Sequence, residues 1–75
     1  MISSGIIISP DICNGKPVIK GTRITVQTIL EFLAAGDTVE DVLAEYPRLT
    51  RRDIQACLAY ASLAMGNHFS TVPVA

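Results

Sequence analysis

Gly15-Lys16-Pro17-Val18-Ile19-Lys20-Gly21-Thr22-Arg23-Ile24-Thr25-Val26 is the stretch densest in residues with special backbone demands. Two glycines, one proline and three basic side chains share it with a Val-Ile pair and an Ile-Thr-Val run. Asn14-Gly15 ahead of it is a strong turn signal, because both residues tolerate positive φ. Pro17 fixes φ and has no N–H to give a ladder, so Val18-Ile19 reads as a short or edge strand. Gly21 punctuates, and Thr25 is placed to cap a helix. The stretch therefore reads as a turn, a strand, a second turn and a helix start.

Upstream, Ile6-Ile7-Ile8 is a β-branched run that suits a strand, ended by Pro10-Asp11. Its natural partner is Val18-Ile19, which makes residues 6–24 a β-hairpin segment with a long connection. An isolated hairpin is marginal in water, so this one must pack on helices or pair with a second copy of the chain. Downstream, residues 25–66 read as three helices. Val26, Ile29, Leu30 and Leu33 follow the i, i+3, i+4, i+7 spacing of a helix over 26–35, with Gly36 as its C′ residue. Val39, Val42, Leu43 and Tyr46 repeat the spacing over 39–46, with Thr38 as N-cap and Asp41 completing a short capping box. Pro47 stops that helix. Thr50 caps the third, again with an acid, Asp53, three residues on; this helix is expected to reach Met65 and end at Gly66. Leu30, Leu43, Ile54 and Leu58 are the expected core. Ile54, Cys57, Leu58, Ala61 and Met65 form one stripe on the third helix, and Ala56, Tyr60 and Leu63 a second, which would meet another subunit. Residues 67–75 have no period and are expected to be a flexible tail or an arm that orders on binding. The whole reads as a single mainly α domain with a small N-terminal β-hairpin and a helix-turn-helix outline.

The chain has 75 residues, 49% of them apolar and only 5% aromatic, which favours an aliphatic core. A chain this short buries only about 60% of the surface its unfolded form exposes, so oligomerisation is a natural supplement. Cys13 and Cys57 form no Cys-x-x-Cys pair; two reduced thiols are expected, with a disulfide left open by the sequence. No apolar run approaches the ~18 residues of a membrane span, and the N-terminus lacks the basic region of a signal peptide. A cytoplasmic location is expected. The net charge of −1 gives no global attraction to nucleic acid.

The distribution of charge says more. All six basic residues, Lys16, Lys20, Arg23, Arg48, Arg51 and Arg52, lie between positions 16 and 52. Arg51 and Arg52 would open the third helix, with Arg48 in the turn before it. Cations at a helix N-terminus oppose the macrodipole, by about 0.3–1 kcal/mol each when exposed. A bound anion, most simply a DNA phosphate, would reverse that balance. The alternative is three exposed arginines with no ligand. Lys16, Lys20 and Arg23 flank the hairpin, where they would either grip phosphates or keep a strand edge from aggregating. Gly15-Lys16 is not a P-loop, since the flanking positions that motif needs hold Pro10 and Pro17. His68 is the lone histidine and falls in the tail. No His/Cys/Asp/Glu cluster has metal-ligand spacing. The expectation is no cofactor, no metal and no enzymatic activity.

Three segments together resemble a known group: Ile8–Val26 with its Gly-Lys-Pro-x-Ile-x-Gly-Thr-Arg-Ile core at Gly15–Ile24, then Leu33-Ala34-Ala35-Gly36, then Tyr46–Thr50 with Asp53–Ala61. The chain is similar, over about residues 6–62, to the small bacterial domain-of-unknown-function family numbered four hundred thirty-three. The resemblance implies a short β-hairpin followed by a trihelical, homeodomain-like helix-turn-helix core. It further implies service as the antitoxin half of a toxin–antitoxin pair, beside a toxin resembling a PIN-type ribonuclease. Two departures stand out. Arg51-Arg52 replace residues that are often polar or acidic in the family. The tail lacks Arg and Lys, so toxin blocking by an extended C-terminal segment is not expected, and the hairpin surface is the substitute.

Two functions of different class follow. In the first, a dimeric antitoxin-like helix-turn-helix regulator binds operator DNA, with Arg51 and Arg52 on phosphate or base edges and Arg48, Lys16, Lys20 and Arg23 around them. In the second, the chain is a protein-interaction module, binding a toxin or another subunit, with no nucleic-acid activity.

Overall fold

The computed structural model describes residues 5–66. In order they form β1 (Ile6–Ile7), a single tight turn at Cys13–Gly15, β2 (Val18–Ile19), α1 (Val26–Ala34), α2 (Val39–Glu45) and α3 (Arg51–Gly66). β1 and β2 pair antiparallel, Ile6 opposite Ile19 and Ile7 opposite Val18. The fold is mainly α with an N-terminal hairpin and three helices, as the residue pattern predicts. The expected tail and His68 lie outside the described residues.

The hairpin is shorter than the Ile6-Ile7-Ile8 run suggests, for a reason carried by Pro17. Continuing the register would set Ile8 against Pro17, which has no N–H for the ladder. Ile8 is accordingly 46% exposed. β2 is short but is not an edge. Its other side is taken by the chain that follows: Val18 bridges Thr25. The Ile19 N–H donates to Ile24 O at 3.0 Å and the Val26 N–H to Pro17 O at 3.0 Å. The connection before β2 holds three successive positive φ values, at Cys13 (50°), Asn14 (58°) and Gly15 (82°). Asn and Gly adopt that region readily; Cys13 does so at a cost. Its thiol donates to the Arg23 carbonyl at 3.4 Å, tying this turn to the one after β2.

Each helix begins where its local chemistry says. Thr25 Oγ1 accepts from the Thr28 N–H at 3.1 Å. α1 then ends on Gly36 at φ 105°. There the Asp37 N–H reaches Phe32 O and the Gly36 N–H reaches Leu33 O, each at 3.1 Å, the paired bonds of a Schellman motif. α2 and α3 carry reciprocal capping boxes. Thr38 N–H donates to Asp41 Oδ2 at 2.9 Å and Asp41 N–H to Thr38 Oγ1 at 3.1 Å. Thr50 and Asp53 repeat the pair at 2.9 and 3.3 Å. Pro47 forces Tyr46 out of helix, to φ −124° and ψ 79°.

The Asp41 carboxylate is held below its ordinary value of 3.8, chiefly by the Thr38 backbone N–H and then by the Thr38 side chain. A depressed carboxylate stabilises the fold above its unfolded pKa, and that contribution is lost as pH falls through the lower folded value. Asp41→Asn is therefore expected to flatten the acid limb of a pH titration of helicity below about pH 4, followed by far-UV circular dichroism. An acid limb identical to wild type would contradict it.

The core is aliphatic throughout. Ile6, Val18, Ile19, Val26, Ile29, Val42, Leu49, Ile54 and Cys57 are buried, and no buried side chain among the described residues is polar or charged. Every element contributes, and β1 packs directly on α3. Of the expected core, Ile54 is fully buried, while Leu30 and Leu43 are half-buried and packed against the centre. Leu58 is a correction: it is 45% exposed. The α3 seam runs Ile54–Cys57–Ala61, the i, i+3, i+7 diagonal, and Leu58 falls to its flank. Met65, on the same expected stripe, is 46% exposed. The second stripe is partly absorbed within the chain, since Ala56 and Tyr60 pack against the core and Leu63 stays open. Leu49, read as part of a turn, is instead buried beside Ile54. The pair spans N′ and N4 of α3, the positions of a hydrophobic staple.

Candidate nucleic-acid interface

α2, the turn Tyr46–Thr50 and α3 give the helix-turn-helix outline its shape, with α1 packed on both helices. All six basic side chains are exposed. The turn that carries Arg48 is pinned from both sides. The Leu49 N–H donates to Tyr46 O at 2.9 Å, the Leu49 side chain is buried, and the Thr50–Asp53 box fixes the helix start. Asp53 and Thr50 satisfy one another, and the first amides of α3, at Arg51 and Arg52, have no acceptor among the described residues.

The three arginines at this end are not equivalent. Arg51 pairs with Glu40, on the first turn of α2. The pair is about two-thirds exposed on each side, and exposed pairs contribute at most about 1 kcal/mol. It nevertheless spends one of the three positive charges inside the chain. Arg48 and Arg52 pair with no carboxylate among the described residues, and neither do Lys16, Lys20 and Arg23.

Arg23 and Arg48 lie on different turns. Both line one depression of about 460 Å³, along with Ile12, Gly21 and Thr22. The β2–α1 turn that presents Arg23 is braced. Thr22 Oγ1 donates to Ile19 O at 2.8 Å and accepts from the Ile24 N–H at 3.0 Å. Gly21 takes φ 81°, a value that disfavours side chains with a Cβ. No spacing rule in the sequence places Arg23 beside Arg48. Lys16, Lys20 and Arg52 do not line this depression.

Two further hollows have other characters. An almost wholly apolar groove of about 260 Å³ runs between α1 and the far half of α3, lined by Val26, Leu30, Tyr60, Ala61 and Met65 with Pro17 at its end. A depression of about 450 Å³ at the α1–α2 junction carries Glu31 and Asp37 beside the Phe32–Tyr46 pair, whose rings meet edge to face at 5.9 Å.

No group of His, Cys, Asp and Glu among the described residues could hold a metal ion. Both described cysteines are free thiols. Burial, and secondarily the Asp53 carboxylate, pushes the Cys57 thiol up to about 11, so it stays protonated and packs as a small hydrophobe. No described helix is long and apolar enough to cross a membrane.

Comparison with known proteins fits this geometry. The family model described as "Protein of unknown function (DUF433)" matches residues 6–61. An uncharacterized protein, y4eO, of Sinorhizobium fredii (strain NBRC 101917 / NGR234) is 42% identical over 53 residues. That match takes in 71% of this chain and 24% of the relative, so the chain spans about a quarter of that protein's length. Among solved structures, the crystal structure of a DUF433 member protein from Anabaena variabilis ATCC 29413 superposes with a TM-score of 0.76 at 36% identity. The superposition covers 79% of this chain and 58% of that one.

Proposed function

The chain belongs to the DUF433 family, and on that premise we propose that it is an antitoxin-like regulator, a cytoplasmic helix-turn-helix dimer that binds operator DNA and a toxin resembling a PIN-type ribonuclease. One observation carries the DNA half. Arg48 and Arg52 stand exposed at the start of α3 with no carboxylate partner among the described residues, where the helix dipole already favours an anion. Arg23 lines the same depression as Arg48. α3 would enter the major groove by this end, with Arg52 toward the base edges and Arg48 and Arg23 on the backbone. Lys16 and Lys20 add general attraction. Arg51 is the weakest of the set, because a phosphate must compete with Glu40 for it.

A dimer neutralising about six phosphates gives a slope near −5 for log K against log salt. Arg48→Ala with Arg52→Ala is expected to lessen that slope by about 0.9 per chain, the share of the one phosphate that Arg48 holds, and to weaken binding to the promoter of its own gene through the lost base contact of Arg52. Helicity should be unchanged, because exposed substitutions cost within about 0.5 kcal/mol. A gel shift with the same affinity and slope as wild type would reject α3 as the DNA-contacting element.

The second reading, an interaction module without nucleic-acid binding, is favoured by the apolar groove between α1 and α3 and by Leu63, which is 62% exposed. Size-exclusion with light scattering, alone and with the product of the neighbouring gene, separates the two. A tight complex with that product and no promoter shift selects the second.

A further inference from the structure

We infer that the depression between the β2–α1 turn and the α2–α3 turn is a site for a single phosphate oxyanion, gripped jointly by Arg23 and Arg48, and that its occupant is a backbone phosphodiester of DNA. The identity of the occupant rests on the DNA reading above; the oxyanion site does not.

Two cationic side chains lining one hollow give it a positive potential that favours an anion there. Here no acid is among the lining residues. Neither arginine has a carboxylate partner elsewhere among the described residues. Each guanidinium offers a planar fork of donors that fits phosphate oxygens bidentately. The backbone adds to them. The Gly21 and Arg23 N–H groups have no acceptor among the described residues, whereas their neighbours at Lys20, Thr22 and Ile24 are all bonded. The hollow also has the size for more than a bare ion. Its volume of about 460 Å³ lies in the ~300–1,000 Å³ range of ligand sites and leaves room for a sugar beside the phosphate.

The two side chains also start from backbone that is already fixed. The Cys13 thiol and the Thr22 hydroxyl brace the Arg23 turn, and buried Leu49 anchors the Arg48 turn. Binding one anion between such turns costs little ordering of the main chain. The site lies just ahead of the α3 start, where a helix-turn-helix module meets the DNA backbone.

Two measurements test this on the whole chain. In the first, inorganic phosphate is titrated against chloride at matched ionic strength and followed by amide NMR. Saturable shifts at Gly21 and Arg23 are expected, abolished by Arg23→Gln and by Arg48→Gln but kept in Glu45→Gln, an exposed position on α2. Shifts that stay linear, or survive both arginine variants, overturn the site. In the second, promoter binding is measured across salt. Because both arginines serve one phosphate, each single variant is expected to lessen the slope by about 0.9 per chain, and the double variant no further. Additive losses would mean two separate phosphates and overturn the joint grip. Saturable phosphate binding alongside DNA affinity that neither variant alters would overturn the DNA assignment in favour of a carboxylate on a partner protein. Phosphate binding with no promoter binding at all leaves the oxyanion site standing and removes the DNA reading.

Discussion

Replacing Ile54 by Ala is expected to lower the melting temperature by about 8–40 °C, the upper part of which leaves the chain unfolded at room temperature. Ile54 is 1% exposed and sits where α3 meets the rest of the core. Truncating a buried Ile to Ala costs about 2–5 kcal/mol, from lost transfer energy plus the cavity left behind. A domain of this length holds only about 4–11 kcal/mol in total, and each kcal/mol moves the midpoint by about 4–8 °C. Leu58→Ala, one turn along the same helix, supplies the contrast. Leu58 is 45% exposed, so its loss is expected to cost less than about 1 kcal/mol. Thermal melts of both variants decide the matter. Equal destabilisation at the two positions would mean that the Ile54–Cys57–Ala61 seam is the wrong face of α3.

The second large effect is expected at the hairpin. Ile6→Asp should destabilise the domain by more than about 4 kcal/mol and abolish helical as well as strand signal. Ile6 is completely buried. β1 packs on α3, and a Cβ added at Gly5 would lie 3.7 Å from the Ala56 Cβ. A carboxylate there would be costly to bury, since no buried side chain among the described residues is polar or charged. Ile8→Asp is the control. It is two residues away, 46% exposed and outside the ladder, and should be tolerated within about 0.5 kcal/mol. Urea melts followed by circular dichroism read both. If Ile6→Asp kept the wild-type midpoint, the hairpin would be an appendage and the helices a self-sufficient core.

These contrasts follow the line between what local chemistry decides and what only packing decides. The caps at Thr25, Thr38 and Thr50, the stop at Pro47 and the left-handed exit at Gly36 were legible because each depends on a few adjacent residues. Ile54 was legible as core because it opens the apolar stripe of the third helix, whereas Ile29 lay on the first helix's apolar spacing without being singled out for the core. Leu58 was misjudged because i+3 and i+4 from Ile54 satisfy the helical period equally well, and the neighbouring elements choose between them. Leu49 hid in a turn, although its place just before a Thr-x-x-Asp box and five residues ahead of Ile54 is the mark of a staple. On the candidate interface, the exposure of the basic residues followed from composition. The pairing of Arg51 with Glu40, and the sharing of one depression by Arg23 and Arg48, did not. Both join residues from separate elements, and nothing short of the assembled tertiary structure brings them within reach.

The contact of β1 with α3 bears on how the chain comes off the ribosome. Synthesis delivers Ile6 and Ile7 early and the Ala56 region late, so the surface that receives the strand is absent until nearly every described residue has been made. The nascent polypeptide must therefore carry Ile6 without the surface that α3 provides for it until that helix has been made.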